Sequence, residues 1–263
     1  MGTVLTPGAA GHVSAYGPLC TQFYDADKTY ADAAEVAWYA ARLPPNDLVL
    51  EVMSGSGRLL IPLLDRDVEV HGCDASAAML ASCEARLDGM GYQTSLFRQD
   101  ATTLDLPFRY AAAFIASGSF QLLVDPIGAR AALERIRAHL IAPAVLLLDL
   151  FIPAEAEHPP ADPLVETRTA TLPDRTRITH RSASIVDVAR RRIDTTTRYE
   201  KRSGPMILAR EDETLALTWY SEDEIAALLT AAGFGAVAIE SSPGPLSATG
   251  PEGERRFAVR ADG

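Results

Sequence analysis

The sequence predicts an α/β protein built on a doubly wound parallel sheet with helices on both faces. Short, unbroken apolar runs alternate with longer segments in which apolar residues recur at helical spacing. This alternation favours a parallel sheet, because parallel strands are joined by crossovers long enough to contain a helix. The alternation stops after residue 152, where four segments with a period of two begin. An antiparallel β excursion is therefore expected inside the α/β domain.

The elements of the α/β part follow in order along the chain. A helix is predicted over residues 28–42, and it ends before Pro44-Pro45. Later helices are predicted from their start signals, which are Gly57, an N-cap at Ser76, a first-turn Pro126 and a capping box of Ser221 and Glu224. The predicted strands are 48–53, 68–73, 94–99, 110–116 and 144–152, with a final hairpin of 236–241 and 255–260 around the loop 242–253.

A different pattern occupies residues 153–219. Three prolines at positions 159, 160 and 163 form a linker-like stretch, and turn signals separate several of the segments that follow. The alternating segments are 164–171, 175–188, 191–202 and 206–219. Two units are expected from this pattern: residues 1–152 and 220–263 form the α/β domain, and residues 153–219 form an inserted antiparallel cap or dimerisation segment.

Composition argues against several classes of function. The formal net charge is −11, so neither nucleic acid nor an anionic membrane is expected as a partner. The apolar stretch around residues 142–152 is too short to span a bilayer, and the first residues lack the features of a secretory signal. Three cysteines without CxxC spacing indicate reduced thiols in a cytoplasmic protein. The five histidines form no metal-binding spacing, so no metal is expected.

The turn after the first strand is the first candidate for a ligand site. Gly55 and Gly57 stand between strand and helix, where glycine lets the backbone approach a ligand closely. A dinucleotide-binding turn would place a third glycine at position 60, but that residue is Leu60. The strand itself carries a carboxylate, Glu51, which suits a ligand with a cationic amino group. A packing turn without a ligand is the alternative for such a glycine pair.

Carboxylates also end the next two strands. Asp74 follows the second strand, where it can accept both hydroxyls of a ribose. Asp100 follows the third strand, placed to bind an adenine amino group beside the backbone of Ala101. Either acid alone is as readily explained as a solvated strand end or a helix cap. Ligands of open α/β sheets bind at the carboxyl ends of the strands, so three such features together predict a nucleoside site.

Four stretches of the chain resemble the ordered motifs of class I S-adenosylmethionine-dependent methyltransferases: VLEVMSGSGRLLIPLL, VHGCDASAAML, FRQDATTLDLP and FIASGSFQLLVD. The resemblance covers roughly residues 16–152 and the chain from 220 onward. It implies a Rossmann-like seven-stranded sheet in the order 3-2-1-4-5-7-6, with the seventh strand antiparallel. It also implies methyl transfer to a small molecule, with S-adenosylmethionine as cofactor and S-adenosyl-L-homocysteine as product.

The same resemblance implies a set of cofactor contacts at the strand ends. These are Glu51, Ser54, Gly55, Ser56, Gly57 and Arg58 at the methionine portion, Asp74 and Ala75 at the ribose, Met79, Asp100 and Ala101 at the adenosine, and Ser117 and Gly118 facing the sulfonium. The chain departs from many relatives at Met53-Ser54, where a Gly-Cys or similar pair is common. This departure bears on the fine contacts of the turn.

The stretch from Tyr16 to Asp25 resembles the tyrosine-bearing lid that small-molecule methyltransferases fold over the cofactor. The resemblance places Tyr16 and Tyr24 at the cofactor. Aromatic residues at this spacing are equally typical of plain core, so both interpretations stay open.

The acceptor end is less defined by sequence. The fourth strand is followed neither by the Asn/Asp-Pro-Pro-Tyr/Phe motif of nitrogen-specific enzymes nor by a carboxylate that could hold magnesium. Gln121 stands where several sugar-amine methyltransferases have a histidine, and an amide orients a substrate but is not a base. Transfer to an N or O atom by proximity and orientation is therefore expected, with no assured base. Candidate acceptor-pocket residues are Ser119, Gln121, His180, Tyr199 and Trp219.

The inserted segment has a charged face and an apolar face. Arg198 and its alternate neighbours are mostly charged, whereas Tyr199, Leu217 and Trp219 belong to alternating apolar sets. The apolar face has to be covered, either by the α/β domain as a roof over the acceptor pocket or by a second copy in a homodimer. Two other classes of function stay open, a non-catalytic S-adenosylmethionine-binding protein and, less favoured, an NAD-dependent oxidoreductase.

Overall fold

The computed structural model describes residues 16–241 and 254–263, so the predicted loop 242–253 and the first 15 residues lie outside the described part. The helices are α1 (Pro18–Asp27), α2 (Ala33–Ala40), α3 (Leu60–Leu64), α4 (Ala77–Met90), α5 (Pro126–Ala138) and α6 (Glu222–Ala231). The strands are β1 (Val49–Val52), β2 (Val70–Asp74), β3 (Leu96–Arg98), β4 (Tyr110–Ile115), β5 (Leu140–Ile152), β6 (Leu164–Thr171), β7 (Arg177–Asp187), β8 (Arg192–Ser203), β9 (Met206–Thr218), β10 (Val237–Glu240) and β11 (Arg255–Asp262).

Seven of the described strands form one sheet in the order β10-β11-β5-β4-β1-β2-β3. Strands β1 to β5 run parallel, and β11 is antiparallel to both β5 and β10. Counted within this sheet, the order is 3-2-1-4-5-7-6 with an antiparallel seventh strand. The predicted doubly wound topology is confirmed.

Each face of this sheet carries its own helices because successive strand residues point to opposite sides. On one face Leu50 packs in a cluster with residues of α5 and α6, such as Leu133 and Leu229. On the other face Val49 packs in a cluster with residues of α2, α3 and α4, such as Tyr39. The continuous apolar strands of the sequence are therefore buried on both faces, as the predicted fold requires.

Local signals start and end the helices largely where the sequence predicts. Ser76 accepts from the N–H of Met79 at 3.1 Å, and Ser221 and Glu224 form the predicted capping box. The predicted helix over 28–42 is shorter, because Asp32 caps its N-terminus by accepting from the N–H of Glu35 at 2.8 Å. Helix α1 lies within the stretch that resembles a lid, for which the sequence pattern predicts no helix.

The remaining strands form a separate antiparallel sheet in the order β6-β7-β8-β9, as predicted. On β8, Thr197 and Tyr199 are buried while Arg198 between them is exposed, which confirms the period-two pattern there. The buried face packs on α1, where Ile178 and Tyr199 form a cluster with Leu19, Cys20 and Phe23. In the described residues, no helix is long and apolar enough to cross a membrane.

Candidate cofactor and acceptor site

A cavity of about 880 Å³ opens at the carboxyl ends of β1 to β4. This volume is near the upper end of the range of roughly 300–1,000 Å³ that is typical of small-molecule sites. Its lining comes from three parts of the molecule: the turns after these strands, the segment before and within α1, and the inserted sheet. The position agrees with the general rule that open α/β sheets bind ligands at their carboxyl edge.

The turn after β1 has an unusual backbone. Met53, Gly55 and Gly57 have φ angles of 60°, 56° and 81°, in the left-handed region that favours glycine. Gly57 is also fixed by packing, because a Cβ there would lie 2.7 Å from the Cys83 sulfur on α4. Met53 holds this left-handed conformation with a side chain, so the turn places a strained backbone position at the cavity wall.

Glu51 presents an unpaired carboxylate oxygen to the cavity. The side chain is only 3% exposed, and its Oε2 atom has no hydrogen-bond partner in the described residues. Burial raises the pKa of Glu51 to about 8, although the nearby Arg58 cation acts in the opposite direction. The Oγ of Ser54, also in the lining, is buried and without a partner. Such orphaned acceptors fit a ligand with N–H donors, such as the ammonium group of a bound amino acid.

Arg58 connects the turn to the fourth strand. Its guanidinium donates to both oxygens of the buried Glu35, at 2.8 and 2.5 Å, and also to the hydroxyl of Ser117. The Tyr24 hydroxyl lies beside the same guanidinium; burial raises the pKa of Tyr24, against the lowering effect of Arg58. Arg58 therefore positions Ser117 and Tyr24, and most of its donors are already used within the protein.

Asp74 closes the turn from the second strand. Its Oδ2 accepts from the N–H of Gly55 at 2.9 Å, and its Oδ1 accepts from the N–H of Ser76 at 2.8 Å. Burial raises the pKa of this carboxyl above its usual value, and these two backbone bonds oppose the shift. Each carboxylate oxygen has a second lone pair, so Asp74 retains acceptors for two ligand hydroxyls.

The third strand end has a more exposed acid. Asp100 lies in the lining, and its Oδ1 accepts from the N–H and hydroxyl of Thr102 at 2.8 and 2.6 Å. The helix-cap interpretation thus holds for one of its oxygens. Ala101 and Met79 are buried beside it in the lining, as the resemblance implies for an adenosine site.

The structure brings most of the predicted cofactor residues to the cavity. Those in its lining are Tyr16, Tyr24, Glu51, Ser54, Gly55, Arg58, Asp74, Ala75, Met79, Asp100, Ala101 and Ser117. Ser56, Gly57 and Gly118 are not in the lining and act behind it. Ser56 accepts from Arg86, and a Cβ at Gly118 would lie 2.5 Å from the ring of Phe151.

The predicted acceptor residues are largely placed elsewhere. Only Ser119 lines the cavity. Gln121 is fully buried: its amide accepts from the N–H of Phe151 and donates to the carbonyls of Phe151 and Thr218, each at 2.9 Å. The prediction that Gln121 lines the acceptor pocket is therefore wrong. Its amide is outside the cavity lining and instead links the end of β5 to the end of β9.

The three candidates from the inserted segment are also outside the lining. His180 stacks on Phe23 at a centroid distance of 5.1 Å, and Tyr199 packs against both rings while donating to the Cys20 sulfur at 3.2 Å. Trp219 is buried away from the cavity. Two of these aromatic side chains thus form the contact between the inserted sheet and α1, which corrects their assignment as pocket walls.

Sequence reasoning missed the residues by which the inserted sheet reaches the cavity. They are Arg192 of β8 and Leu215 and Ala216 of β9. Arg192 is paired with Asp194 on its own strand through contacts of 2.7–3.0 Å. The period-two pattern predicts Arg192 on a solvated charged face, and its place in the cavity lining depends on how the inserted sheet docks. Within the described residues, no group of three potential ligands is arranged to hold a metal ion.

Comparison with known proteins agrees with this geometry. Residues 49–142 match the family model described as a methyltransferase domain. No curated protein matches the sequence. The sugar N-methyltransferase KedS8 from Streptoalloteichus sp ATCC 53650 superposes with a TM-score of 0.74 at 20% identity, covering 99% of each chain. An S-adenosylmethionine-dependent methyltransferase from Clostridium acetobutylicum ATCC 824 gives 0.72 at 14% identity, covering 91% of this chain and 96% of the other.

A third similar structure is CalS10, an amino pentose methyltransferase from Micromonospora echinaspora, with bound S-adenosylmethionine. It superposes with a TM-score of 0.67 at 23% identity and covers 96% of this chain and 100% of its own. These structural likenesses establish the class I methyltransferase fold. The match of residues 49–142 to a methyltransferase domain and the site described above agree with S-adenosylmethionine-dependent methyl transfer.

Proposed function

We propose that the enzyme methylates an amine or hydroxyl of a small molecule, mainly by holding acceptor and cofactor in line. The observation that carries this proposal is the character of the cavity wall. Among the described lining residues there is no histidine or lysine, and one part of the wall is formed by Leu122, Leu123, Val124, Leu215 and Ala216. An apolar wall section, in a described lining without histidine or lysine, favours orientation over acid–base chemistry, and positioning alone supplies roughly 7–11 kcal/mol of a barrier.

Different residues of the cavity hold different parts of the cofactor. S-adenosylmethionine supplies an electrophilic methyl group on its sulfonium. Glu51 and Ser54 offer their unpaired oxygens to the ammonium group, and Asp74 accepts from the ribose hydroxyls. Tyr16 and Tyr24 also line the cavity, and we propose that they cover the cofactor and exclude water. Ser117, fixed by Arg58, borders the place where the methyl group leaves.

The activities of three structural neighbours support an amine of a polar small molecule as the methyl acceptor. KedS8 is a sugar N-methyltransferase, CalS10 acts on an amino pentose, and MtfA is a glycopeptide N-methyltransferase. An uncharged amine is itself nucleophilic, so it needs positioning more than a base. A hydroxyl acidified by a neighbouring ring is the second acceptor type that this site would serve.

Turnover tests this proposal. The purified enzyme would be incubated with methyl-labelled S-adenosylmethionine and a panel of amino sugars, aryl amines and phenols, and products identified by mass spectrometry. We expect methylation of at least one amine, with a pH–rate profile that follows the acceptor's own ionisation. Binding of S-adenosyl-L-homocysteine without turnover on any member of the panel or of a metabolite extract would instead favour a non-catalytic binding protein.

The inserted segment, residues 153–219, is proposed to roof the acceptor side. Leu215 tests this role because it reaches the cavity from β9, whereas Met206 on the same strand is 60% exposed. Leu215→Ala is expected to raise the KM for the acceptor several-fold, which is about the effect of removing part of one apolar contact. The affinity for S-adenosyl-L-homocysteine should stay within twofold. Met206→Ala is the matched control and should change neither. An unchanged acceptor KM in Leu215→Ala would contradict the roof.

A further inference from the structure

Strand β9 places two carboxylates against the segment that covers the cofactor cavity. This lid segment, residues 16–27, contributes Tyr16, Gly17, Pro18 and Tyr24 to the lining. Glu211 of β9 accepts from the N–H of Leu19 at 2.9 Å and from the N–H of Cys20 at 3.0 Å. These donors belong to the first turn of α1, where N–H groups have no partner within the helix. The residue before the helix, Gly17, has no side chain to cap them.

Glu213 holds the start of the same segment. Its carboxylate, 9% exposed, accepts from the backbone N–H of Tyr16 and lies 3.4 Å from the Tyr199 hydroxyl. On its other side, the carbonyl of Tyr16 accepts from the Ser76 hydroxyl at 2.7 Å. Ser76 in turn donates its N–H to Asp74. Tyr16 is therefore fixed between the inserted sheet and the turn that holds the ribose.

The fit between Glu211 and the lid segment leaves no spare space. A Cβ added to Gly17 would lie 2.7–2.8 Å from the carboxylate atoms of Glu211. The φ angle of Gly17 is −73°, which any residue adopts, so a side chain at position 17 would displace the Glu211 carboxylate and would not strain the backbone. The carboxylate of Glu211 thus occupies the volume that a side chain at position 17 would need.

We propose that Glu211 and Glu213 are positioning residues that hold the lid segment closed over the cofactor. The inserted sheet then has two roles through one strand, because Leu215 and Ala216 of β9 form cavity wall while the two acids fasten the lid. The proposal depends on the cofactor and not on which acceptor the enzyme uses.

The first test measures cofactor affinity and lid order without turnover. Glu211→Ala should weaken S-adenosyl-L-homocysteine binding by roughly 2- to 30-fold in calorimetry, the range that loss of a helix cap gives when it lowers the closed population. Amide exchange within residues 16–27 should speed up, and exchange in the core strands should not. Glu211→Gln should lie between, because the amide oxygen still accepts one N–H. The control is Asp212→Ala, an exposed neighbour that pairs with Arg198 on the outer face.

A double-mutant comparison tests whether Gly17 and Glu211 act on cofactor binding through their mutual contact. Gly17→Ala should by itself weaken binding, because its methyl group displaces the Glu211 carboxylate. In the Glu211→Ala background the same change should add little, because the clash is gone. Additive losses would overturn the proposal, as would unchanged affinity in Glu211→Ala despite faster exchange in the lid segment. If Glu211→Ala does not fold, Glu211→Gln and Gly17→Ala decide the question alone.

Discussion

The floor and the cover of the cavity use their polar groups in opposite ways. The floor, formed by residues 51–58 and 74–79, keeps orphaned acceptors on Glu51 and Ser54. The cover, formed by the lid segment and the inserted sheet, uses Glu211 and Glu213 for internal hydrogen bonds. Polar groups left unsatisfied in a buried site gain most from a ligand. We therefore expect the floor to supply most of the cofactor affinity and the cover to supply closure and shape.

The largest effect is expected at Asp74. Asp74→Ala should weaken S-adenosyl-L-homocysteine binding by roughly 2–4 kcal/mol in calorimetry, because it removes charge-assisted acceptors for the ligand and for the Gly55 and Ser76 N–H groups. Asp74→Asn is the matched control: it keeps one acceptor oxygen and should lose less. Unchanged affinity in a folded Asp74→Ala protein would show that the cofactor does not rely on this floor.

Gln121 lies at the joint between the two regions. Gln121→Ala leaves the Phe151 N–H and carbonyl and the Thr218 carbonyl without their partner, so it should lower the free energy of unfolding by about 2–3 kcal/mol. The measurement is chemical denaturation. Cofactor affinity should change much less. A variant that kept full stability but lost turnover would return Gln121 to the acceptor pocket.

Substitution of Glu51 should change the stability of the protein and its affinity for the ligand in opposite directions. Its pKa is about 8 in the fold against an ordinary value of 4.5, so the folded protein holds an extra proton between these values. The free energy of unfolding of the cofactor-free protein should therefore fall as pH rises from about 4.5 to 8. Glu51→Gln should remove this slope and stabilise the protein at pH 7, by on the order of 2 kcal/mol, while weakening S-adenosyl-L-homocysteine binding.

Unfolding of the unaltered protein and of Glu51→Gln, measured over the same pH range with and without ligand, tests whether stability rises while affinity falls. A Glu51→Gln protein that keeps the slope would show that another group titrates. One that binds the ligand as tightly as the original would show that the orphaned oxygen does not contact it.

The smallest effect is expected at Ser119. Its side chain belongs to the cavity lining, so Ser119→Ala should raise the acceptor KM or lower kcat a few-fold, about 1 kcal/mol. Affinity for S-adenosyl-L-homocysteine should stay constant. Equal losses in both would assign Ser119 to the cofactor floor. Ser182, buried on β7 outside the lining, offers a control for loss of a hydroxyl.

Association of two copies is a further open property of the cover. Strand β9 is an edge of the inserted sheet, and Met206, Ile207 and Leu208 are exposed on it in succession. An exposed apolar edge strand invites pairing. A homodimer through the inserted segment therefore stays a proposal, together with the monomer, and light scattering of Ile207→Lys against the unaltered protein would distinguish them.

The residues of the floor could be located from sequence because each lies at the end of a recognisable strand. Apolar runs predict β1 and β2, and chain continuity then places Glu51, Gly55 and Asp74 at one edge of the sheet. The positions of these strands in the sequence are enough to predict that these residues meet, because neighbouring parallel strands have their carboxyl ends at the same edge of the sheet. The charged and buried faces of β8 could likewise be assigned from alternation alone.

The cover was decided by tertiary structure. Alternation separates the two faces of the inserted sheet, but it carries no information on what the buried face meets or which end of a strand reaches the cavity. Glu211 and Leu19 are 192 residues apart, and Gln121 and Thr218 are 97 apart. Such contacts depend on how two sheets dock, which is set by packing summed over many residues. The sequence by itself therefore determined the fold class and the strand-end residues of the floor, whereas docking decided that Tyr199 and His180 pack against α1 and that Leu215 reaches the cavity.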